Sequence, residues 1–171
     1  MSQVDQRVAI EIRPAGPEDA GGIADIFLES AEYHAELDPE RYSTPEIETI
    51  STRYREGHQH PADAHNAAIT FVAELNGQIV GFIDVVLDRS PDAMHREMTY
   101  CHISEIAVRQ GHQNQGIGGR LLQTAEDWGR KMGAEFASLE FHTDNARARL
   151  FYEGRMGYRP AATTAIKRLQ P

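Results

Sequence analysis

A glycine-rich segment carries the residues that most clearly suggest chemistry. The segment Gln113–Gly119 reads QNQGIGG, follows an apolar run that ends at Val108, and leads into a predicted helix that contains Leu121 and Leu122. Glycine has no Cβ and lets a ligand approach the main chain closely, and the N–H groups that open a helix attract anions. The combination predicts a site for a phosphate or pyrophosphate group.

Two other phosphate-binding motifs fit this segment poorly. A P-loop requires Lys and then Ser or Thr after its second glycine, whereas Gly119 and Arg120 follow Gly118. A dinucleotide-binding fingerprint requires a third glycine where Leu121 stands, and it normally opens a β-α-β unit. Nucleoside triphosphate chemistry is therefore disfavoured, and a dinucleotide-dependent oxidoreductase is kept only as an alternative.

The elements before this segment are predicted from periodicity and turn residues. Val8–Ile12 predicts a short first strand that ends in a turn at Arg13-Pro14. A helix follows from Pro17 and fades near Leu37, and a second helix begins near Thr44. The predicted order is therefore one strand followed by two helices.

A change to a period of two predicts the centre of a sheet. The runs Ala68–Glu74 and Gln78–Val86 flank Asn76-Gly77, and an Asn-Gly pair between β-rich runs indicates a hairpin. Thr99–Val108 predicts a third long strand, which leads to the glycine-rich segment. These three strands are expected to be antiparallel.

The rest of the chain completes a predicted α/β fold. An amphipathic helix after Gly119 is followed by a strand at Ala137–Phe141, a helix from about Asn145 to Gly157, and a closing strand at Ala165–Leu169. We expect a mixed, strongly twisted sheet with flanking helices, antiparallel at first and then parallel across the glycine-rich segment. A cofactor would enter where the two parallel strands diverge.

The glycine-rich segment resembles the acetyl-CoA signature Arg/Gln-x-x-Gly-x-Gly/Ala of the GNAT superfamily of N-acetyltransferases, with Gln113, Gly116 and Gly118 at the defined positions. A second block, Asn145–Tyr158, is similar to the family's Asn-x-x-Ala-x-x-x-Tyr-Glu-x-x-Gly-Phe segment. Asn114 stands where glycine is common, and asparagine tolerates a positive φ. The resemblance covers nearly the whole chain and implies one acetyl-CoA-dependent N-acetyltransferase domain over residues 1–171.

The resemblance implies a role for each part of the site. Backbone amides of the glycine-rich segment would hold the pyrophosphate, and the pantetheine arm would pair with the last strand residues as an added strand would. Asn145 would hydrogen-bond the arm, unless it only caps its helix. Tyr152 would protonate the departing sulfur, unless it is a core tyrosine. The implied cofactor-binding residues are Ile106, Ala107, Val108, Gln113, Asn114, Gln115, Gly116, Ile117, Gly118, Gly119, Asn145 and Tyr152.

Acetyl transfer to an amine also requires a base. An unperturbed alkylammonium has a pKa of about 10.4, so a free amine is mostly protonated near neutral pH and must lose a proton before it attacks. Glu105 is the candidate, because several family members place a carboxylate on this strand. The alternative is a carboxylate that orients the amine or pairs with an arginine. A backbone N–H near Val108 would stabilise the developing oxyanion.

The histidines have simpler interpretations than metal binding or catalysis. His58, His60 and His65 lie in a polar loop without another ligand pattern, so a hydrated loop is preferred to a metal site. His102 and His142 flank the predicted cleft and could relay protons, but structural hydrogen bonds are the preferred role.

Two further features complete the set of candidate residues. His34, Glu36 and Asp38 lie in a region that borders the acceptor site in the family, and a solvated helix end is the preferred interpretation. Cys101 is the only cysteine, which excludes a disulfide framework, and we expect it to be buried. It has no activating partner in the sequence, so direct attack by the amine is preferred to a covalent enzyme intermediate.

Charge and composition bear on partners and location. The chain has 17 Lys and Arg against 26 Asp and Glu, a net charge of −9 that argues against nucleic acid and favours a cationic small-molecule or peptide amine. No signal-peptide pattern or bilayer-length apolar run is seen, so we expect a cytoplasmic protein without membrane contact. Homodimers are common in the family. A non-catalytic acyl-CoA sensor or regulatory protein is the alternative function.

Overall fold

The computed structural model describes residues 10–57, 67–90 and 94–169. The chain divides into two compact units, Met1–Glu140 and Phe141–Pro171. Within the described ranges, the first unit holds a sheet and three α-helices, and the second holds one helix. A single acetyltransferase domain over residues 1–171 stays a prediction.

The first unit is built around one mixed sheet. Its strands, in their order across the sheet, are β1 (Glu11–Pro14), β2 (Ala68–Leu75), β3 (Gln78–Arg89), β4 (Thr99–Val108) and β5 (Phe136–Leu139). Its helices are α1 (Ala20–Leu37), α2 (Ile47–Glu56) and α3 (Ile117–Lys131), with a 3-10 turn at Pro17–Asp19 before α1. Neighbours from β1 to β4 are antiparallel, and β5 is parallel to β4. The predicted mixed α/β fold is confirmed.

The hairpin between β2 and β3 forms where the Asn-Gly pair predicts it. Asn76 and Gly77 have φ angles of 53° and 77°. A two-residue turn with positive φ at both positions matches the twist of the strands it joins. The resulting register places Thr70 directly opposite Asp84, and both residues recur in the candidate site.

The first strand differs from its prediction. Residues 8 and 9 lie outside the described ranges, and Arg13 and Pro14, where a turn was expected, belong to β1. Proline is tolerated because β1 is an edge strand that pairs only with β2 in the described sheet. The Arg13 guanidinium also holds the next element in place, with Nη1 donating to Asp19 at 2.7 Å and Nη2 donating to Glu74 at 2.7 Å.

The apolar faces of α1 and α2 pack in one buried cluster with residues of β2 and β3. Ile23 and Ile26 come from α1, and Ile50 and Tyr54 come from α2. The ring of Tyr54 meets that of Phe82 edge to face, with 5.7 Å between their centroids. This packing positions the Tyr54 side chain beneath the sheet residues that form the candidate site.

β4 contains one residue more than β3 in the middle of their pairing. Asp84 lies opposite Glu105, but Val85 lies opposite Ile103, so Ser104 is the extra residue of a β-bulge. The parallel pairing of β4 with β5 ends at the same place, with Ile103 opposite Leu139. Beyond this point β4 continues without a β5 partner, so the pairing of the two parallel strands ends before the glycine-rich segment.

Close packing of α3 on β4 gives a stability prediction. A Cβ added at Gly129 would lie 2.5 Å from the Cβ of Cys101 and 2.6 Å from its Sγ. Gly129→Ala is therefore expected to lower the free energy of unfolding by about 1–3 kcal/mol, measured by urea denaturation. Gly21→Ala in α1 is the matched control, because a Cβ there has nothing within 4 Å, and helix propensity should raise stability by up to about 1 kcal/mol. An equal gain in both variants would contradict the close packing.

The second unit corrects two predictions. Its helix α4 spans Ala146–Tyr152 and ends before the predicted Met156-Gly157 stop, although Gly157 does have a positive φ of 77°. The predicted closing strand at Ala165–Leu169 is wrong, because these residues have no regular secondary structure. Ile166 and Leu169 are 66% and 85% exposed, so these apolar side chains are not buried against a sheet as a strand of the core would be.

Candidate active site

The glycine-rich segment forms a tight loop between β4 and α3. Gly111, Asn114 and Gly116 have positive φ angles of 83°, 62° and 82°. Gly116 is the N-cap of α3 and supplies no side-chain cap, so the first amides of the helix have no acceptor within the helix. Such amides, at the positive end of the helix dipole, are suited to bind an anionic group.

Side chains of the loop brace it from inside. Gln113 Nε2 donates to the carbonyl of Val108 at 3.0 Å, and Gln115 Nε2 donates to the carbonyl of Gly111 at 3.2 Å. The amide of His112 donates to the carbonyl of Arg109 at 3.1 Å. These bonds fix the curvature of the loop, which leaves the backbone amides of Gln113–Gly119 as its candidate ligand-binding groups.

Helix α1 anchors the entrance of the loop. Glu29 Oε2 accepts a hydrogen bond of 2.7 Å from the amide of Gln110. The Arg109 guanidinium lies 3.7 Å from both Asp25 and Glu29, and its Nε donates to the carbonyl of Ile79 at 3.2 Å. These contacts have no local signal in the sequence, because their partners are far apart in the chain.

The end of β4 before the loop has an edge to which an extended ligand could pair as a further strand would. On one edge of β4, Ile106, Ala107 and Val108 pair with β3. In the described first unit, no strand pairs with their other edge, because the pairing with β5 ends at Ile103. The backbone groups that this segment directs away from β3 are therefore available to a ligand that hydrogen-bonds as a strand does, apart from the Val108 carbonyl, which accepts from Gln113 Nε2.

Glu105 stands on β4 just after the bulge and is partly buried. Burial raises the pKa of its carboxyl to about 7, the negative charge of Asp84 contributes in the same direction, and the Arg53 guanidinium opposes both. A carboxyl with a pKa near 7 exchanges protons readily at neutral pH, as a general base must.

Asp84 lies opposite Glu105 on β3 and is only 2% exposed. Tyr54 Oη donates to its Oδ2 at 2.6 Å, and Thr70 Oγ1 donates to its Oδ1 at 2.7 Å. The Arg53 Nη2 atom is 3.8 Å from Oδ2, which is beyond hydrogen-bond length. Burial and the neighbouring carboxylate raise the pKa of Tyr54, so its phenol stays protonated and acts as a donor.

The second unit holds the two remaining candidates, and both are buried. Asn145 caps α4, with its Oδ1 accepting from the amide of Ala148 at 2.9 Å. The capping alternative for Asn145 is thus present in the structure. The ring of Tyr152 lies among the rings of Phe141, Phe151 and Tyr158, at centroid distances of 5.5, 5.0 and 6.1 Å.

The other polar candidates have structural contacts. His34 Nδ1 donates to the carbonyl of Ser30 at 2.8 Å, near the end of α1. His102 Nδ1 lies 3.0 Å from Ser138 Oγ, and His142 Nδ1 accepts from the amide of Asp144 at 3.2 Å. His58, His60 and His65 lie outside the described residues. In the part of the chain that is described, no group of three His, Cys, Asp or Glu side chains is arranged to hold a metal.

Cys101 is buried, as the sequence predicts. Its Sγ donates to the carbonyl of Ala125 at 3.4 Å. Burial raises the pKa of the thiol to about 11, with the charge of Glu126 adding to the effect, so the thiolate needed for nucleophilic attack is not formed near neutral pH. Residues 10–57, 67–90 and 94–169 also contain no helix with the length and apolarity to span a bilayer.

Comparison with known proteins gives one family. The sequence profile of the acetyltransferase (GNAT) family matches residues 27–158. YhfO of Bacillus subtilis (strain 168), an uncharacterized N-acetyltransferase, is 26% identical over 144 residues, which cover 84% of this chain and 87% of that protein.

Solved structures share the fold at low sequence identity. A tetramutant of the BH1408 protein from Bacillus halodurans has a TM-score of 0.82 at 19% identity, over 93% of this chain and 99% of that chain. An aminoglycoside N-acetyltransferase, AAC(6')-Iy, solved in complex with CoA, has a TM-score of 0.71 at 14% identity, over 99% of this chain and 100% of that chain.

Proposed function

The chain belongs to the acetyltransferase (GNAT) family, and we propose that it moves the acetyl group of acetyl-CoA directly to a primary amine while both substrates are bound. Direct attack is supported by the protonated, buried thiol of Cys101, which is unsuited to form an acyl-enzyme. The profile match runs across both compact units, which supports a single acetyltransferase domain.

Acetyl-CoA would bind to the loop and the strand that precedes it. The amides of Gln113–Gly119 would receive the pyrophosphate, since the first amides of α3 have no acceptor within the helix. The backbone of Ile106–Val108 would pair with the pantetheine arm along the edge that β5 does not cover. Asn145 would donate a hydrogen bond from its side-chain amide to the pantetheine arm. A backbone N–H near Val108 would stabilise the oxyanion.

The proposal rests above all on the carboxyl of Glu105. It is partly buried and its pKa of about 7 suits removal of a proton from an alkylammonium group at neutral pH. In the proposed reaction Glu105 accepts this proton, the amine nitrogen forms a bond to the acetyl carbon, and the carbon–sulfur bond then breaks. The departing thiolate takes a proton from the hydroxyl of Tyr152, and the second proton lost by the amine nitrogen as the amide forms restores the Tyr152 hydroxyl.

Replacing the Tyr152 hydroxyl separates catalysis from binding. Tyr152→Phe is expected to lower kcat roughly tenfold, while the Kd of acetyl-CoA changes less than about twofold. The effect on kcat is modest because a thiol has a pKa of about 8.5, so its thiolate is a fair leaving group without an acid. The measurements are steady-state kinetics and calorimetric titration. Equal turnover in both proteins would remove Tyr152 from the mechanism.

The acceptor we propose is a small cationic amine. The net charge of −9 attracts cations over long distances. One protein of similar fold is an aminoglycoside N-acetyltransferase, which places such amines among the first to test. Polyamines, amino-acid derivatives and basic peptides share the same chemistry.

A two-step measurement tests the function. Calorimetric titration with acetyl-CoA, with NAD as the control, is followed by a thiol-release assay over aminoglycosides, polyamines, amino-acid derivatives and basic peptides. We expect binding of acetyl-CoA alone and release of thiol with at least one amine. Binding without release on every amine would favour a non-catalytic acyl-CoA sensor, and preferred binding of NAD would overturn the proposal.

A further inference from the structure

A second carboxyl group lies beside the proposed base and has no role in the proposed reaction. Asp84 is 2% exposed, and burying a carboxylate is unfavourable unless donors compensate for the lost water. Its two oxygens accept hydrogen bonds from Tyr54 on α2 and Thr70 on β2. The group is therefore fixed from two sides by elements other than its own strand.

The register places Asp84 and Glu105 as direct neighbours. They are opposite residues of the antiparallel pair β3 and β4. Opposite residues project their side chains on the same face of a sheet, with Cβ atoms about 4.5–5.5 Å apart. The pair stands on the side of the bulge that leads to the glycine-rich loop, so Glu105 and the Asp84 carboxyl opposite it on β3 lie before the same end of β4.

We propose that Asp84 is a positioning residue whose fixed charge controls how firmly Glu105 holds a proton. This inference rests on the proposed role of Glu105 as the base of the reaction. Because both oxygens of Asp84 already accept hydroxyl donors, Glu105 is the member of the pair left to exchange a proton with a substrate.

Charges from two elements act on Glu105 in opposite directions. Burial raises the pKa of Glu105, Asp84 adds to this because a second negative charge nearby is unfavourable, and Arg53 on α2 lowers it. Arg53 is 45% exposed and stacks on the Tyr54 ring at 5.3 Å, so it lies at the outer side of the same cluster. Asp84 and Arg53 thus act on the pKa of the Glu105 carboxyl in opposite directions.

Three carboxyl groups on the helices next to β4 interact with groups other than Glu105. On α1, Asp25 and Glu29 face the Arg109 guanidinium, each at 3.7 Å. On α3, Glu126 acts on the thiol of Cys101. The four residues of β5 read FASL and contain no titratable side chain. Asp84 and Arg53, with the protonated phenol of Tyr54, are therefore the groups to change.

The test compares three variants by two readouts. The first readout is the ¹³C NMR titration of the Glu105 carboxyl in the full chain without substrates, with its signal assigned by its absence from Glu105→Gln. The second is the acidic limb of kcat/KM, with acetyl-CoA and an amine identified in the thiol-release assay. The amine's own ionisation is the same for every variant, so differences between variants report the enzyme.

Replacing Asp84 and replacing Arg53 should shift the titration midpoint of Glu105 in opposite directions. Asp84→Asn should lower the titration midpoint of Glu105 by roughly one pH unit, and Arg53→Gln should raise it. The matched control is Arg55→Gln on the same helix, since Arg55 pairs with Ser51 and Glu48 and should leave the midpoint unchanged. A merely structural role for Asp84 would not produce opposite shifts.

The outcomes test separately whether Asp84 acts on Glu105 and whether Glu105 is the base. An unchanged midpoint in folded Asp84→Asn overturns the inference. Should this variant fail to fold, Arg53→Gln decides, because it changes an exposed side chain, and an unchanged or lowered midpoint there overturns the inference. If the NMR midpoint moves in both variants but the limb of kcat/KM does not follow, the electrostatic control stands and the assignment of Glu105 as the base fails.

Discussion

Glu105→Gln is expected to lower kcat for amine acetylation roughly 1,000-fold at pH 8, within the range that a positioned general base contributes. Glutamine has nearly the same shape but does not accept a proton from an ammonium group. The Kd of acetyl-CoA should change little, because the proposed contacts of the cofactor are made by backbone amides of the loop. Steady-state kinetics and calorimetric titration measure the two quantities.

The pH profile carries the same prediction in a second form. Glu105 must be ionised to act, and its pKa is raised to about 7 by burial and by Asp84, with Arg53 opposing. Activity of the wild-type protein should therefore rise with pH through about 7 and fall about tenfold for each unit below it. This limb should be absent from Glu105→Gln, whose side chain does not titrate.

A stability measurement distinguishes loss of the proposed base from unfolding of the Glu105→Gln variant. Glu105 binds its proton more tightly in the folded chain than in the unfolded chain, so the wild type loses stability as the pH rises from 4.5 to about 7, and the full loss is present at pH 8. Glu105→Gln should then be at least as stable as the wild type at pH 8, by thermal denaturation. Glu11→Gln, at an exposed glutamate on β1, is the matched control and should keep full activity. Full activity and an unchanged limb in Glu105→Gln would remove Glu105 as the base.

Gly118→Val is expected to weaken acetyl-CoA binding roughly 100-fold. Gly118 is the second residue of α3, among the amides proposed to receive the pyrophosphate. A branched Cβ would hold the phosphates away from the main chain, and losing two hydrogen bonds to a charged group is worth about 3 kcal/mol or more. Calorimetric titration with acetyl-CoA measures the change.

A control variant isolates this effect from helix destabilisation. Gly21→Val introduces the same side chain in the first turn of α1, where a Cβ has nothing within 4 Å. It should leave the Kd of acetyl-CoA unchanged. If Gly118→Val also binds with unchanged affinity, the phosphate site has been placed on the wrong residues.

Local signals in the sequence predict most of the sheet that carries the site. The Asn76-Gly77 turn and the bounds of β4 at Thr99 and Val108 are found where they are predicted. Each depends on chemistry within a few residues: positive φ at a turn, alternating side chains, and glycines where the strand ends. The same reasoning fails at Ala165–Leu169, because a short apolar alternation becomes a strand only if a neighbouring strand pairs with it.

The partners of the candidate base could not be predicted in this way. Asp84 is a single acid in the apolar run of β3, which signals an unusual buried group but not its partners. Tyr54 lies 30 residues away on α2. Glu29 reaches Gln110 across 81 residues. Such contacts depend on how helices pack on the sheet, and one sequence contains no direct record of that packing.

The extra residue Ser104 decides to which face of the sheet the side chain of Glu105 projects. Successive side chains of a strand project to alternate faces, so removing one residue reverses the faces of all that follow. If β4 paired regularly with β3 from Ile103 onward, Ser104 would lie opposite Asp84, and Glu105 would lie opposite Ile83 on the other face from Asp84. The bulge thus shifts the alternation of side chains between the two faces of β4 by one residue. It allows one continuous strand to pair with β5 at one end and to place Glu105 beside Asp84 at the other.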